Sequence, residues 1–220
     1  MHPVKLIKQD HRTVKALFRK FENASRRSEK QKVGQEIIEE LSVHAAIEEQ
    51  LLYPALRARD KRLEQAALNA LEEHHAVKMV LLELDKMKVD DERYDAKMHV
   101  VQESVEMHID EEESELLPRF DALFETEELQ AMADAIVTMK KVAPNHPHPA
   151  APDTPPGNVL ASMLAKLSDT SKDVIRKLID TDKAEGHRRV KRRASATSAV
   201  AIAAKRSRRG SGKGRGAAAH

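Results

Sequence analysis

The sequence contains no cysteine and no tryptophan, and aromatic residues make up only 3% of its 220 positions. Without thiols it has no disulfide framework, no thiolate metal site and no cysteine nucleophile. With so few rings, the core has to be built from Leu, Ile, Val, Ala and Met, a palette that suits packed helices. Glycine is scarce, at 7 residues, and no apolar run approaches the ~20 residues a membrane span requires. The first residues, "MHPVKLIKQDH", are amphipathic and charged almost at once, unlike a secretory signal, so a cytoplasmic protein is expected.

What the chain has instead is charge, at 34% of residues, and its net +2 conceals an asymmetry. Between Lys183 and His220, 12 Lys and Arg against one acid leave +11, so residues 1–182 carry −9. Helical periodicity organises that acidic body. Residues 3–27 place Val4, Ile7, His11, Val14, Phe18 and Phe21 on one stripe. Stretches 31–58, 61–88 and 94–120 repeat the pattern, and a shorter helix is expected over 126–141. The joins are short, so the expected fold is all-α: an antiparallel up-down four-helix bundle over residues 1–142. "APNHPHPAAPDTPPG", 143–157, reads as a stiff linker, because its prolines remove amide donors and favour extended backbone. Residues 158–182 read as one amphipathic helix, and 183–220 as a basic, disordered tail with too little apolar surface to fold alone.

The bundle is a repeat. "DHRTVK" at 10–15 matches "EHHAVK" at 73–78, and "HAAIEEQLLYP" at 44–54 matches "HIDEEESELLP" at 108–118. His11 and His44 are 33 residues apart, and His74 and His108 are 34 apart. Two helical hairpins of one design therefore make the bundle, and the ionisable residues recur with the apolar frame. Packing alone would repeat the leucines without repeating His-x-x-x-Glu.

Residues four apart on a helix share a face, so His44 with Glu48 and His108 with Glu112 each offer a nitrogen and an oxygen to one point. His11 and His74 add a nitrogen from each remaining helix. Two buried carboxylates with nothing to neutralise them cost several kcal/mol each. A bound cation resolves that cost, and four imidazoles with two carboxylates suit iron, manganese or zinc. Of the neighbours His74 and His75, His74 shares with His11 the apolar residues at offsets +3, +7 and +10, so it is the expected ligand. His75 is then an outer-sphere residue or an alternative ligand, and so is Tyr53, which follows Glu48. Glu49, Glu111 and Glu113 read as a solvated acidic face, from which one could reach in to hydrogen-bond a ligand from outside. Pro54 and Pro118, each six residues after its Glu, are expected to mark the same bend beyond the metal layer.

These residues resemble the hemerythrin-like family of HHE cation-binding domains, through Asp10-His11, His44-x-x-x-Glu48, Glu73-His74 and His108-x-x-x-Glu112. The likeness covers about residues 1–142. It implies a four-helix bundle holding a non-haem pair of irons, with His11, His44, His74 and His108 as terminal ligands and Glu48 and Glu112 bridging. Members of the family bind or sense O₂, handle nitric oxide or peroxide, or take part in iron homeostasis. The family's oxygen carriers use a fifth histidine four residues along the third helix, where this chain has Lys78 after His74 and Met79 after His75. The expectation is therefore one metal with an open position, favouring reaction with O₂, nitric oxide or peroxide over reversible O₂ storage. The alternative is an iron reservoir or sensor that docks on DNA or a protein partner through its basic tail. Residues 188–215 suit weak, salt-sensitive, sequence-independent contact with nucleic acid.

Overall fold

The computed structural model describes residues 1–147 and 167–177, and over them the chain is helical with no strand. Helix α1, Pro3–Asn23, begins with proline in its first turn, where the missing amide costs nothing. Helix α2, Arg27–Ile47, runs into a π-helical turn, Glu48–Leu52, and then into α3, Tyr53–Arg59. Helix α4 is Glu64–Lys86, and α5, Tyr94–Glu111, runs into a second π turn, Glu112–Leu116. A 3₁₀ turn at Leu117–Arg119 leads to the short α6, Phe120–Leu123, and to α7, Thr126–Met139. Helix α1 packs on α2 and α4 on α5, while α2 meets α4 and α1 meets α5, which closes the expected up-down bundle.

The first hairpin turns earlier than the apolar period indicates. Helix α1 stops at Asn23 rather than 27, and α2 starts at Arg27 rather than 31. Ala24 is extended, at φ −72° and ψ 117°, and Asn23 Nδ2 donates back to the Arg19 carbonyl at 2.7 Å. That bond satisfies one of the acceptors a helix end leaves open.

The apolar core comes in two parts. One gathers Val14, Phe18, Ile37, Leu41, Leu81, Leu84, Val101 and Val105 at one end of the bundle. The other gathers Ile7, Ile47, Leu51, Leu52, Ala70, Leu116 and Phe120 with Met132, Ile136 and Met139 of α7. Leu167 and Ile175 are buried in this second part, and 169–177 is helical. The rest of the expected 158–182 helix, most of the 143–157 linker and the whole 183–220 tail lie outside the described residues. Between the two halves of the core lies the level of His11, His44, His74 and His108.

Both π turns open on a glutamate. The amide of Tyr53 donates to the Glu48 carbonyl and that of Leu117 to the Glu112 carbonyl, five residues back in each case. Pro54 and Pro118 come next in the chain. Neither has an amide for the carbonyl four residues earlier, so the α ladder is already broken there and one extra residue per turn is tolerated.

Gly34, buried in α2, faces the hydroxyl of Tyr94, and a Cβ at this position meets that oxygen at clashing distance. Alanine gains ~1 kcal/mol over glycine in a helix interior, whereas overpacking costs ~1–3 kcal/mol. Gly34→Ala is therefore expected to destabilise the bundle in denaturant unfolding, and Gly34→Ala in a Tyr94→Phe background to stabilise it. Equal effects in both backgrounds contradict this packing.

Candidate metal centre

Six side chains from the four long helical segments converge at the level between the two core clusters. His11 comes from α1, His44 from the last turn of α2, His74 from α4 and His108 from the last turn of α5. Glu48 and Glu112 open the two π turns. All six are buried, and Glu48 is 0% exposed. The Nε2 atoms point inward. His44 Nε2 lies 3.2 Å from Glu48 Oε1, His74 Nε2 3.3 Å from Glu48 Oε2, and His11 Nε2 3.2 Å from Glu112 Oε2. The Nε2 atoms of His74 and His108 are 3.1 Å apart.

Carboxylates hold the rings from outside. His11 Nδ1 meets Glu113 Oε1 at 2.8 Å, His74 Nδ1 meets Glu49 Oε1 at 3.1 Å, and His108 Nδ1 meets Glu73 Oε2 at 2.8 Å. Asp10, the counterpart of Glu73, lies 3.9 Å from His44 Nδ1 and is paired with Lys140, which follows α7. A carboxylate on Nδ1 fixes the proton there and leaves the Nε2 lone pair free for a metal. Lysines anchor the carboxylates in turn: Lys78 reaches Glu49 at 2.8 Å and Lys8 reaches Glu113 at 3.0 Å. Glu49 and Glu113 thus leave the acidic face expected for them, while Glu111 stays exposed on it. The signal was in the repeat, because Asp10 aligns with Glu73 and Glu49 with Glu113, each beside a histidine or a central glutamate.

The two halves are not equal. Donor atoms of His11, His44, Glu48 and Glu112 lie within 4.8 Å of one another, and so do those of Glu48, His74 and His108. Glu48 belongs to both groups and Glu112 only to the first. The three-donor group is completed by Tyr53, fully buried, whose hydroxyl lies 3.2 Å from Glu48 Oε2, 3.4 Å from His108 Nε2 and 3.5 Å from His74 Nε2. In an uninterrupted α-helix a residue five positions on is turned away by about 140°; the π turn brings Tyr53 back over Glu48. His75 is exposed on α4, and the structure does not bring it to the others.

The donor set fits a cation. Both oxygens of Glu112, Glu48 Oε1 and His11 Nε2 are buried without a hydrogen-bond partner among the described residues, which is costly unless another ligand satisfies them. Burial pushes Glu48 up, but His44 and the other imidazoles outweigh it and hold Glu48 well below the ordinary carboxylate range. Burial and then repulsion by Glu48 push Glu112 up, so the two carboxylates shift in opposite directions. Burial pushes the imidazoles down, yet the surrounding carboxylates outweigh it, raising His11 and His74 and lifting His108 to about 10.

The signs give a stability profile for chelator-treated protein. Stabilisation from the lowered Glu48 is lost as pH falls below its ordinary 4.5, and that from the raised imidazoles is lost as pH climbs from 6.5 through about 10. The melting temperature should fall from pH 6.5 toward pH 10 in a scanning calorimeter, and a flat or rising curve contradicts the assignment. Zinc binding near pH 8 should release protons, seen as a calorimetric enthalpy that depends on the ionisation enthalpy of the buffer.

The chain is 28% identical over 170 residues to a hemerythrin-like protein of Schizosaccharomyces pombe, spanning 77% of this chain and 84% of that one. Its fold is similar to the crystal structure of a hemerythrin HHE cation-binding-domain-containing protein from Mycobacterium kansasii. The two share a TM-score of 0.54 and 23% identity, over 79% of this chain and 99% of that chain. Residues 2–120 match the hemerythrin HHE cation binding domain, so the chain belongs to the hemerythrin HHE family.

Proposed function

We propose that the centre holds two irons and that it binds and turns over a small oxidant: O₂, nitric oxide or peroxide. His11 and His44 with Glu112 would hold one ion, His74 and His108 the other, and Glu48 would link the two. Tyr53 supplies an oxygen where the third-helix register offers Lys78 instead of a histidine. An iron pair supplies Lewis-acid and redox chemistry toward such oxidants.

The observation that carries the oxidant reading is a cavity of ≈ 30 Å³ against the histidine layer. Its base is His11, His44, His74 and His108, and its walls are mostly aliphatic, with Val14, Leu41, Val77, Leu81, Val105 and Ile109 beside Glu73 and Lys78. The space holds about two water-sized groups, which suits a diatomic or a peroxide and leaves no room for an organic substrate. Aliphatic walls disfavour ordered water and charged ligands and cost an uncharged diatomic little. The carboxylates on Nδ1 keep the imidazoles oriented, and the Tyr53 hydroxyl, whose pKa burial and then Glu112 push well above 10, stays protonated beside Glu48 when no cation is near. It is placed to give up that proton on binding a cation or to donate a hydrogen bond into the centre.

Protein expressed in iron-rich medium is expected to retain close to two irons per chain by plasma mass spectrometry. A His44→Ala/Glu112→Ala variant should lose them while circular dichroism reports the same helix content. The wild type should consume peroxide or nitric oxide in a stopped-flow assay; firm iron retention without turnover supports the reservoir alternative instead. Tyr53→Phe is expected to keep the iron of the His11–His44 side and to lose any visible phenolate-to-iron absorption. An unchanged visible spectrum in that variant removes Tyr53 from the ligand set.

A further inference from the structure

The two hairpins repeat in sequence, but the space beside their matching glutamates differs. Next to Glu48 the chain is closed by Ile7, Ile47 and Leu51, each 0% exposed and clustered with Met132 and Ile136 of α7, and by Leu6 at the edge. Along the same alignment, the second hairpin places Ala70, Glu111, Glu115 and Asn69 at those four positions. Ala70 for Ile7 removes volume, glutamates replace Ile47 and Leu51, and no helix covers the gap among the described residues. A second cavity, of ≈ 40 Å³, opens there.

Carboxylates grade this cavity from solvent to centre. Glu111 and Glu115 at its mouth are exposed, Glu73 is half-buried, and Glu112 at its inner end is 2% exposed. Both Glu112 oxygens are buried without a hydrogen-bond partner among the described residues, so the corridor ends on acceptors that a cation can satisfy. His108 and Glu73 form the wall it shares with the apolar cavity.

We propose that this corridor is the route by which a divalent cation reaches the centre. The inference rests on the reading of that centre as a metal site. The first cavity offers a cation little in exchange for its hydration, because its walls are mostly aliphatic and the Lys78 ammonium among them repels it. The corridor instead offers oxygen donors at every depth: Glu111 and Glu115 attract the hydrated ion, Glu73 replaces part of its water, and Glu112 receives it. Uncharged ligand and cation thus approach from different sides, and the aliphatic side stays free of ions.

Cobalt(II) loading of chelator-treated, full-length protein, followed by visible absorption in a stopped-flow instrument, tests this. Glu111→Gln/Glu115→Gln alters only exposed residues outside the ligand set and should load about tenfold more slowly at low ionic strength. The difference should shrink as salt is added, and the final cobalt per chain should match the wild type. Glu103→Gln/Glu106→Gln, an equal charge change on α5 outside the cavity, should load at the wild-type rate. Equal rates in all three proteins at full loading overturn the corridor and leave the metal site intact. Equal slowing in the control overturns it too, by reducing the effect to net charge. A lower final cobalt content at an unchanged rate overturns it by making the pair a retention element. Wild-type protein that takes up no cobalt overturns the metal-site reading, and the corridor with it.

Discussion

Six ionisable side chains cut the hydrophobic core of this bundle in two, and the rest of the molecule is arranged around tolerating them. Four imidazoles and two carboxylates share a level where helices of this kind ordinarily place leucine. A buried carboxylate without a counter-charge costs several kcal/mol, and this layer carries two within one network. The fold answers in concentric fashion. Imidazoles surround the central carboxylates, further carboxylates take three of the four Nδ1 atoms, and Lys78 and Lys8 hold two of those outer carboxylates in place. What the described residues do not supply is a hydrogen bond to either oxygen of Glu112. The opposite pKa directions of Glu48 and Glu112 accompany that shortfall, and a bound cation would remove it.

The π turns set the geometry of this layer. Each adds one residue just after the glutamate, which changes the phase of everything downstream. Glu48 and Glu112 can then face the centre while the residue that follows each, Glu49 or Glu113, reaches an imidazole of the opposite hairpin. Tyr53 and Leu117 hold equivalent positions, five residues past their glutamates, and the difference between them separates the two halves chemically. A phenol hydroxyl points at the three-donor side, and the leucine counterpart adds only packing.

Much of this was legible before any coordinates. The 3.6-residue period and the short joins gave four long helices, and the repeat of His-x-x-x-Glu set the six central residues apart from ordinary core. The outer carboxylates were harder to see. In "EEQ" and "EEESE" the sequence offers consecutive acids, and which of them faces inward depends on the phase of a π turn that periodicity cannot register. Lys78 was legible as the place of a missing nitrogen, but its salt bridge to Glu49 depends on contact between α4 and the first π turn. The early end of α1 was hidden because Ala24 and Ser25 carry no strong stop signal, and the extended backbone at Ala24 follows from packing.

The asymmetry between the hairpins has one physical origin. Helix α7 lies on the first hairpin, where Ile7, Ile47 and Leu51 are apolar because they must accept its Met132 and Ile136. The equivalent face of the second hairpin has no such partner among the described residues, so its positions were free to become Asn69, Ala70, Glu111 and Glu115. Exposed carboxylates at Glu111 and Glu115 add negative potential at the mouth of this cavity, and that potential draws cations inward. Covering one half of a symmetric bundle therefore does two things. It anchors the helices of the His11–His44 side, and it leaves the His108–Glu112 side lined by carboxylates.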